Sequence, residues 1–168
     1  MVMHILLVTP YFYPNLFGGV QKVVFELAKH LTTRGYKVDV WTSNVYLDAE
    51  KIHSGARFLN ENLKVVYFDA KFHRILNRLN AVFLPRLHFH AYHNLTKYDV
   101  IHLHGYRSFT STIIARTAEK VNKPYLITLH GSFTRNRKKL LKTIQDNLIG
   151  HRILHQAEKI IALSLIHI

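Results

Sequence analysis

The chain opens on a unit that leaves few folds available to it. A short aliphatic run, His4-Ile5-Leu6-Leu7-Val8, is followed by a loop and a glycine pair, Gly18-Gly19, and then by apolar residues spaced three and four apart at Val20, Val23, Val24, Leu27, Ala28 and Leu31. Such a run reads as a buried parallel strand, and such a spacing as one face of an amphipathic helix. Arg34-Gly35 closes the helix with a cation and a glycine cap, and Lys37 to Ser43 (KVDVWTS) alternates into a second strand. Strand, helix and parallel strand in succession commit the chain to a layered α/β arrangement. Glycine lacks a Cβ, so Gly18-Gly19 can take positive φ and leave N–H groups uncovered at a helix N-terminus, where the dipole favours an anion such as a phosphate. The same pair also serves a plain strand-to-helix turn, and these residues alone leave both readings open.

The alternation continues. Asn44 to Asn62 is polar and irregular and reads as a surface excursion containing at most short structure, whereas Val65 to Phe68 reads as a third short strand. Tyr98 to Gly105 (YDVIHLHG) is another strand, Ser108 to Val121 a helix, Tyr125 to Leu129 a strand after the turn Asn122-Lys123-Pro124, and Ile160 to Leu163 the last strand. A parallel sheet covered on both faces, a Rossmann-like doubly wound α/β domain, is expected, and ligands bind such sheets beyond the carboxyl ends of the strands. Three of those ends carry chemistry. The first leads through Pro10 to Gly18-Gly19, another ends in His102, His104 and Gly105, and another in His130, Gly131 and Ser132. Each histidine alone could be a hydrogen-bonded edge residue; converging, they outline one cleft with imidazoles in its wall.

Composition bounds the partners. The 168 residues suit one domain, and 23 Lys and Arg against 10 acids give a formal charge of +13, which implies an anionic partner. The absence of cysteine excludes disulfides and thiolate sites, and no apolar stretch is long enough to cross a bilayer, so a cytoplasmic setting is expected. Lys71 to Lys97 has no acidic residue and interleaves basic, histidine and bulky apolar residues; Phe72, Ile75, Leu76 and Leu79 form a helical stripe, and Pro85 forces a break or a new helix start. With Arg135 to Lys142 (RNRKKLLK), this stretch is a candidate contact for an anionic membrane surface, and equally a core helix with a solvated basic back.

Taken in order, TPYFYPNLFGGVQKVVFELAKHLTTRGYKVDVWTS, YDVIHLHG, KPYLITLHGSF and AEKIIALS resemble the N-terminal domain of the retaining GT-B glycosyltransferases of family 4, over Ile5 to Ser164. The resemblance implies the acceptor-side half, residues 1–162, of a two-domain enzyme that moves a sugar from a nucleotide diphosphate sugar to a glycan, lipid-linked or other acceptor. It implies that Gly18 and Gly19 approach the donor diphosphate and that His130 lies beside the transferred sugar as the catalytic candidate. It places His102, His104, Gly105, Gly131 and Ser132 in the cleft wall, and Tyr11 and Asn15 near the acceptor. No acidic metal-binding pair is present, so neither a divalent metal nor another cofactor is expected beyond the nucleotide sugar itself.

The family's donor-gripping basic pair and its Glu-x7-Glu element are missing, so the chain alone is expected to be inactive. Its last residues, Leu163 to Ile168, continue apolar and coincide with one reading frame of a common transposase-end sequencing adapter, so a foreign tail after residue 162 is expected. The resemblance also implies peripheral attachment to the inner membrane face as one option.

Three competing readings remain. A nucleotide-binding Rossmann-like module without transferase chemistry is opposed by the lack of G-x-G-x-x-G and of an acid after the second strand. A metal hydrolase would use His88, His90 and His93 or His102 and His104, but these lack nearby carboxylates. A nucleic-acid binder fits the charge but shows no base-reading motif, so nucleic acid is not an expected partner.

Overall fold

The computed structural model describes residues 2–14, 18–45, 50–72, 82–130 and 151–162. Strands β1 (His4–Val8), β2 (Lys37–Ser43), β3 (Gly55–Asn60), β4 (Leu63–Phe68), β5 (Val100–His104), β6 (Leu126–Thr128) and β7 (Lys159–Ile161) form one sheet in the order β3-β4-β2-β1-β5-β6-β7. Every pairing is parallel except β3 with β4. The helices are α1 (Gly19–Thr33), α2 (Leu87–Asn94), α3 (Phe109–Lys120) and the short α4 (His151–His155). Central strands are apolar on both faces, as a sheet covered on both sides requires. On one face Ile5, Leu7, Val38, Val40, Leu63 and Val65 pack with Val24 and Ala28 of α1. On the other, Leu6, Val8, Trp41, Ile101, Leu103 and Ile127 pack with Leu87 and Ala91 of α2 and with Ile114, Ala115 and Ala118 of α3.

Local chemistry sets the element ends. Gly35 at φ +85° lets Tyr36 N–H donate to the Leu31 carbonyl and Gly35 N–H to that of Thr32, the bonding of a Schellman stop. Asn122, also at positive φ, ends α3 in the same way: Lys123 N–H reaches Ala118 and Asn122 N–H reaches Glu119. Ser108 caps the start of α3 by accepting from the Ser111 N–H at 3.0 Å. Pro85 stands two residues ahead of α2, so the proline marks a helix start.

Two expectations need correction. Asn44 to Asn62 is not simply an excursion, because Gly55–Asn60 forms the antiparallel edge strand β3, all of it exposed. With no buried face, nothing forced an alternating pattern into that sequence. Val23 is 42% exposed and lies at the flank of the α1 stripe rather than within it. The expected stripe Phe72-Ile75-Leu76-Leu79, the segment Arg135 to Lys142 and the tail 163–168 lie mostly or wholly outside the described residues.

Candidate functional site

β1, β5 and β6 are parallel neighbours, so the residues after each of them gather at one edge of the sheet. His102 is in register with Leu7 and Leu126, and two residues further His104 is in register with Thr128. Alternation along β5 puts both histidines on the face that α1 covers elsewhere, while Ile101 and Leu103 enter the opposite core.

The histidines form two hydrogen-bonded pairs joined by ring packing. His102 Nε2 lies 2.7 Å from Thr128 Oγ1, and His104 Nδ1 lies 2.9 Å from His130 Nε2. The His102 and His104 rings are 4.2 Å apart between centroids, and those of His104 and His130 5.1 Å. His130 is in a turn at φ +46°, a left-handed conformation that costs a non-glycine residue about 1–2 kcal/mol. Gly105 takes φ +85°, where a side chain would be strained, and its N–H donates to the Thr128 carbonyl at 2.8 Å, carrying the β5–β6 pairing one step beyond the strands.

Burial decides the charge of this group. His102 is 8% exposed and His104 only 1%. Desolvation, helped by the neighbouring imidazole of His130, lowers the pKa of His102 to about 4. His104 is pushed well down by burial and then by its two histidine neighbours, and burial also lowers that of His130. All three rings are therefore neutral near pH 7. The wall they make is uncharged and offers hydrogen-bonding ring nitrogens, and the chain's excess positive charge lies elsewhere.

Across the edge, the segment after β1 is held from several sides. The Pro10 carbonyl accepts from Ser43 Oγ at 2.6 Å and from Ser43 N–H at 3.3 Å, and the Tyr67 hydroxyl donates to the Tyr13 carbonyl at 2.7 Å. Phe12 is buried against Phe25, and Tyr13 stacks on the same ring. Tyr11 is half-buried, which raises its phenol pKa. These anchors fix where α1 begins.

Gly18 and Gly19 differ from the positive-φ expectation. Gly18 is extended at φ −101° and Gly19 is the first residue of the helix, so neither is needed for left-handed geometry. The two glycines differ in surroundings: a Cβ on Gly19 would meet no atom within 4 Å, whereas one on Gly18 would run into the Gln21 side chain, which reaches back over the start of α1. The N-cap residue Gly18 offers no side-chain acceptor and no acid stands in the first turn, so the positive end of the helix dipole has no acidic partner within α1 itself.

The structure thus brings together His102, His104, Gly105 and His130, and sets Tyr11, Gly18 and Gly19 at the same sheet edge; Asn15, Gly131 and Ser132 lie outside the described residues. Sequence reasoning missed Thr128, the partner of His102, although its place two residues before His130 on an alternating strand was the available signal. It also missed Tyr67 and Ser43, which anchor the loop through backbone carbonyls that leave no trace in a motif. His88, His90 and His93 do not converge: His88 meets Thr117 of α3, His90 packs against Trp41 and Phe68, and His93 against Phe89 and Tyr92. Among the described residues there is no group of three metal-ligating side chains, and no helix is long and apolar enough to cross a membrane.

Known proteins share this fold. Among solved structures, the chain is similar to sucrose-phosphate synthase from Thermosynechococcus elongatus, with a TM-score of 0.60 and 15% identity over 96% of this chain and 42% of that one. It is similar to Acinetobacter baumannii MurG, with a TM-score of 0.58 and 14% identity over 99% and 42%. LpCGTa in complex with UDP gives a TM-score of 0.60 and 12% identity over 98% and 47%. The chain therefore spans less than half of each, and at these identities the likeness speaks for the Rossmann-like fold of one GT-B half. Among curated proteins, 68 residues are 37% identical to a subunit of human phosphatidylinositol N-acetylglucosaminyltransferase, 40% of this chain but 13% of that protein. The family model of Glycosyltransferase Family 4 matches residues 17–165, most of the chain, including Gly18-Gly19 and the ends of β5 and β6. The chain belongs to glycosyltransferase family 4.

Proposed function

We propose that residues 1–162 are the acceptor-side domain of a retaining glycosyltransferase that moves a sugar from a nucleotide diphosphate sugar to a glycan or lipid-linked acceptor. The observation that carries this reading is the pairing, at one sheet edge, of a helix N-terminus that begins at Gly18-Gly19 and has no acid in its first turn with the neutral wall of His102, His104 and His130. As the anomeric C–O bond to the donor phosphate opens, negative charge grows on the leaving diphosphate. Open N–H groups at a helix N-terminus stabilise that charge more than the ground state, which is the condition for faster transfer. His130 is the catalytic candidate, touching a hydroxyl of the transferred sugar, with Gly105, Gly131 and Ser132 beside it and Tyr11 and Asn15 towards the acceptor.

Retention requires attack from the face the leaving group departs. Among the described residues no carboxylate stands at the ends of β1, β5 or β6 as a nucleophile, and Asp69 after β4 is tied up with Lys51 and Lys71, so the acceptor oxygen bonds to the anomeric carbon on the leaving-group side, and its proton passes to the departing phosphate oxygen. Charge stabilisation is assigned to N–H groups rather than to a divalent metal, because the sequence lacks a paired acidic element. No further cofactor is required.

The human relative is named for transfer to phosphatidylinositol, in keeping with a lipid-linked acceptor and a site on the inner membrane face. Lys71 to Lys97 and Arg135 to Lys142 are the segments that would meet anionic headgroups. On this reading the 168-residue chain alone turns over no donor. The test is an assay of a polypeptide carrying both halves of the fold against a panel of nucleotide diphosphate sugars, with the product's anomeric configuration read by NMR. Transfer with retention supports the proposal. Nucleotide binding without transfer would favour the alternative, a nucleotide-binding module, and inversion would overturn the front-face mechanism.

A further inference from the structure

We infer that His104 is a positioning residue that holds His130 in the tautomer protonated on Nδ1, so that His130 meets its substrate as a hydrogen-bond donor and not as a base. The inference rests on the proposed placement of His130 beside the transferred sugar, and it turns on where the protons of a buried pair can reside. His104 Nδ1 and His130 Nε2 are 2.9 Å apart, so one proton lies between them. Both rings are neutral, which leaves two arrangements. In the first, His104 Nδ1–H donates to His130 Nε2; His104 Nε2 is then a bare lone pair, and His130 carries its proton on Nδ1. In the second, His130 Nε2–H donates to His104 Nδ1; His104 must then be protonated on Nε2, and His130 Nδ1 is a lone pair.

His104 Nε2 selects between them. Among the described residues it is buried without any hydrogen-bond partner, in a side chain only 1% exposed. An N–H stranded in such a place is rarer and costlier than an acceptor left incompletely satisfied. The first arrangement therefore prevails. It imposes on His130 the less common form, because a free neutral histidine prefers its proton on Nε2, and the hydrogen bond made at one ring nitrogen sets what the other presents. The titratable groups facing His104 are His102 on its own strand and His130 beyond β6; no carboxylate or ammonium group is among the influences on its charge. Nothing nearby would thus stabilise an imidazolium in this pair.

The consequence for the reaction is specific. A donor at His130 Nδ1 suits an oxygen of the sugar, and the acceptor's proton must leave by another route, which the departing phosphate supplies.

The test reads tautomers directly in the isotope-labelled full chain by long-range ¹H–¹⁵N correlation spectra at neutral pH. The expected result is protonation at Nδ1 in both His104 and His130. His104→Asn, whose amide nitrogen can donate from the place of Nδ1, should keep His130 in the Nδ1–H form, whereas His104→Leu should turn it to a majority of Nε2–H. Wild-type His130 protonated on Nε2 overturns the inference, as does a tautomer indifferent to His104→Leu. Should the leucine variant fail to fold, the wild-type and asparagine spectra decide. These spectra need no donor or acceptor. An Nδ1–H His130 in a two-half protein that transfers no sugar would refute the proposed function alone, and an Nε2–H His130 in an active enzyme would refute this inference alone.

Discussion

The two ends of the sheet are built on opposite terms. At the amino end, Asp39 accepts from the Tyr98 hydroxyl at 2.7 Å, meets His4 Nε2 at 3.2 Å and Lys64 at 3.8 Å, while Asp99 accepts from the His4 N–H at 2.8 Å. Burial and then Asp39 raise the pKa of Tyr98, so its phenol keeps its proton and its role as donor. Polar groups at that end are opposite in sign or complementary. At the carboxyl end, three imidazoles pack together without a counter-ion among the described residues, His130 is held at positive φ, and His104 Nε2, Thr42 Oγ1 and Thr110 Oγ1 are buried without partners there. Buried polar atoms left unpaired cost stability, and although Trp41 Nε1, whose ring packs on Tyr98, is a fourth such atom, the other three stand at the carboxyl end beside the clustered imidazoles.

That contrast can be broken most severely at His130. In a two-half enzyme, His130→Ala should lower kcat/KM by roughly 10²- to 10³-fold, the usual loss for a preorganised donor, with little change in melting temperature. Initial rates and thermal melts read this together, and a large melting shift with unchanged rates would make the carboxyl end structural. At the other end the balance should invert. Tyr98→Phe removes a hydrogen bond to a buried carboxylate and should cost about 2 kcal/mol in urea unfolding while leaving transfer rates alone.

Acid should also tell the ends apart. His102 has a folded pKa of about 4 against an ordinary 6.5, so between these values the unfolded chain binds more protons and stability falls as pH falls. His104 and His130 shift the same way. The melting temperature should therefore decline on acidification through this window, above the range where carboxylates such as Asp69 begin to protonate; a flat profile there would contradict the buried neutral cluster. Gly19→Ala is the subtler probe. Its Cβ meets open space, so the variant should be unchanged or more stable by about 0.5 kcal/mol, yet it should raise the KM for the nucleotide sugar. The smallest effect is expected at Asp69, half-buried just beyond the end of β4 and paired with Lys51 and Lys71 at 2.8 Å each; Lys71→Ala should alter stability by less than about 1 kcal/mol.

Much of this was legible in the residues because local rules produced it. The aliphatic runs at His4–Val8 and Lys37–Ser43, the stops at Gly35 and Asn122, and the Ser108 cap act within a few residues of themselves, and each appears where the sequence places it. β3 escaped notice because an exposed edge strand carries no hydrophobic alternation. The site was half legible. His102, His104, Gly105 and His130 stand out as unusual strand-end residues, but Thr128 is an ordinary residue until β6 lies beside β5.

Apart from the edge strand β3, residue order alone was enough to set the succession of elements, the winding, and which residues would reach the carboxyl edge, since propensity, periodicity and capping are properties of neighbours along the chain. It took the folded chain to establish that His104 and His130 share a proton, that burial keeps the three rings neutral, and that Gly19 is bare without being strained. Those properties depend on register between strands distant in sequence and on exclusion of water, and neither is encoded in any single stretch of residues.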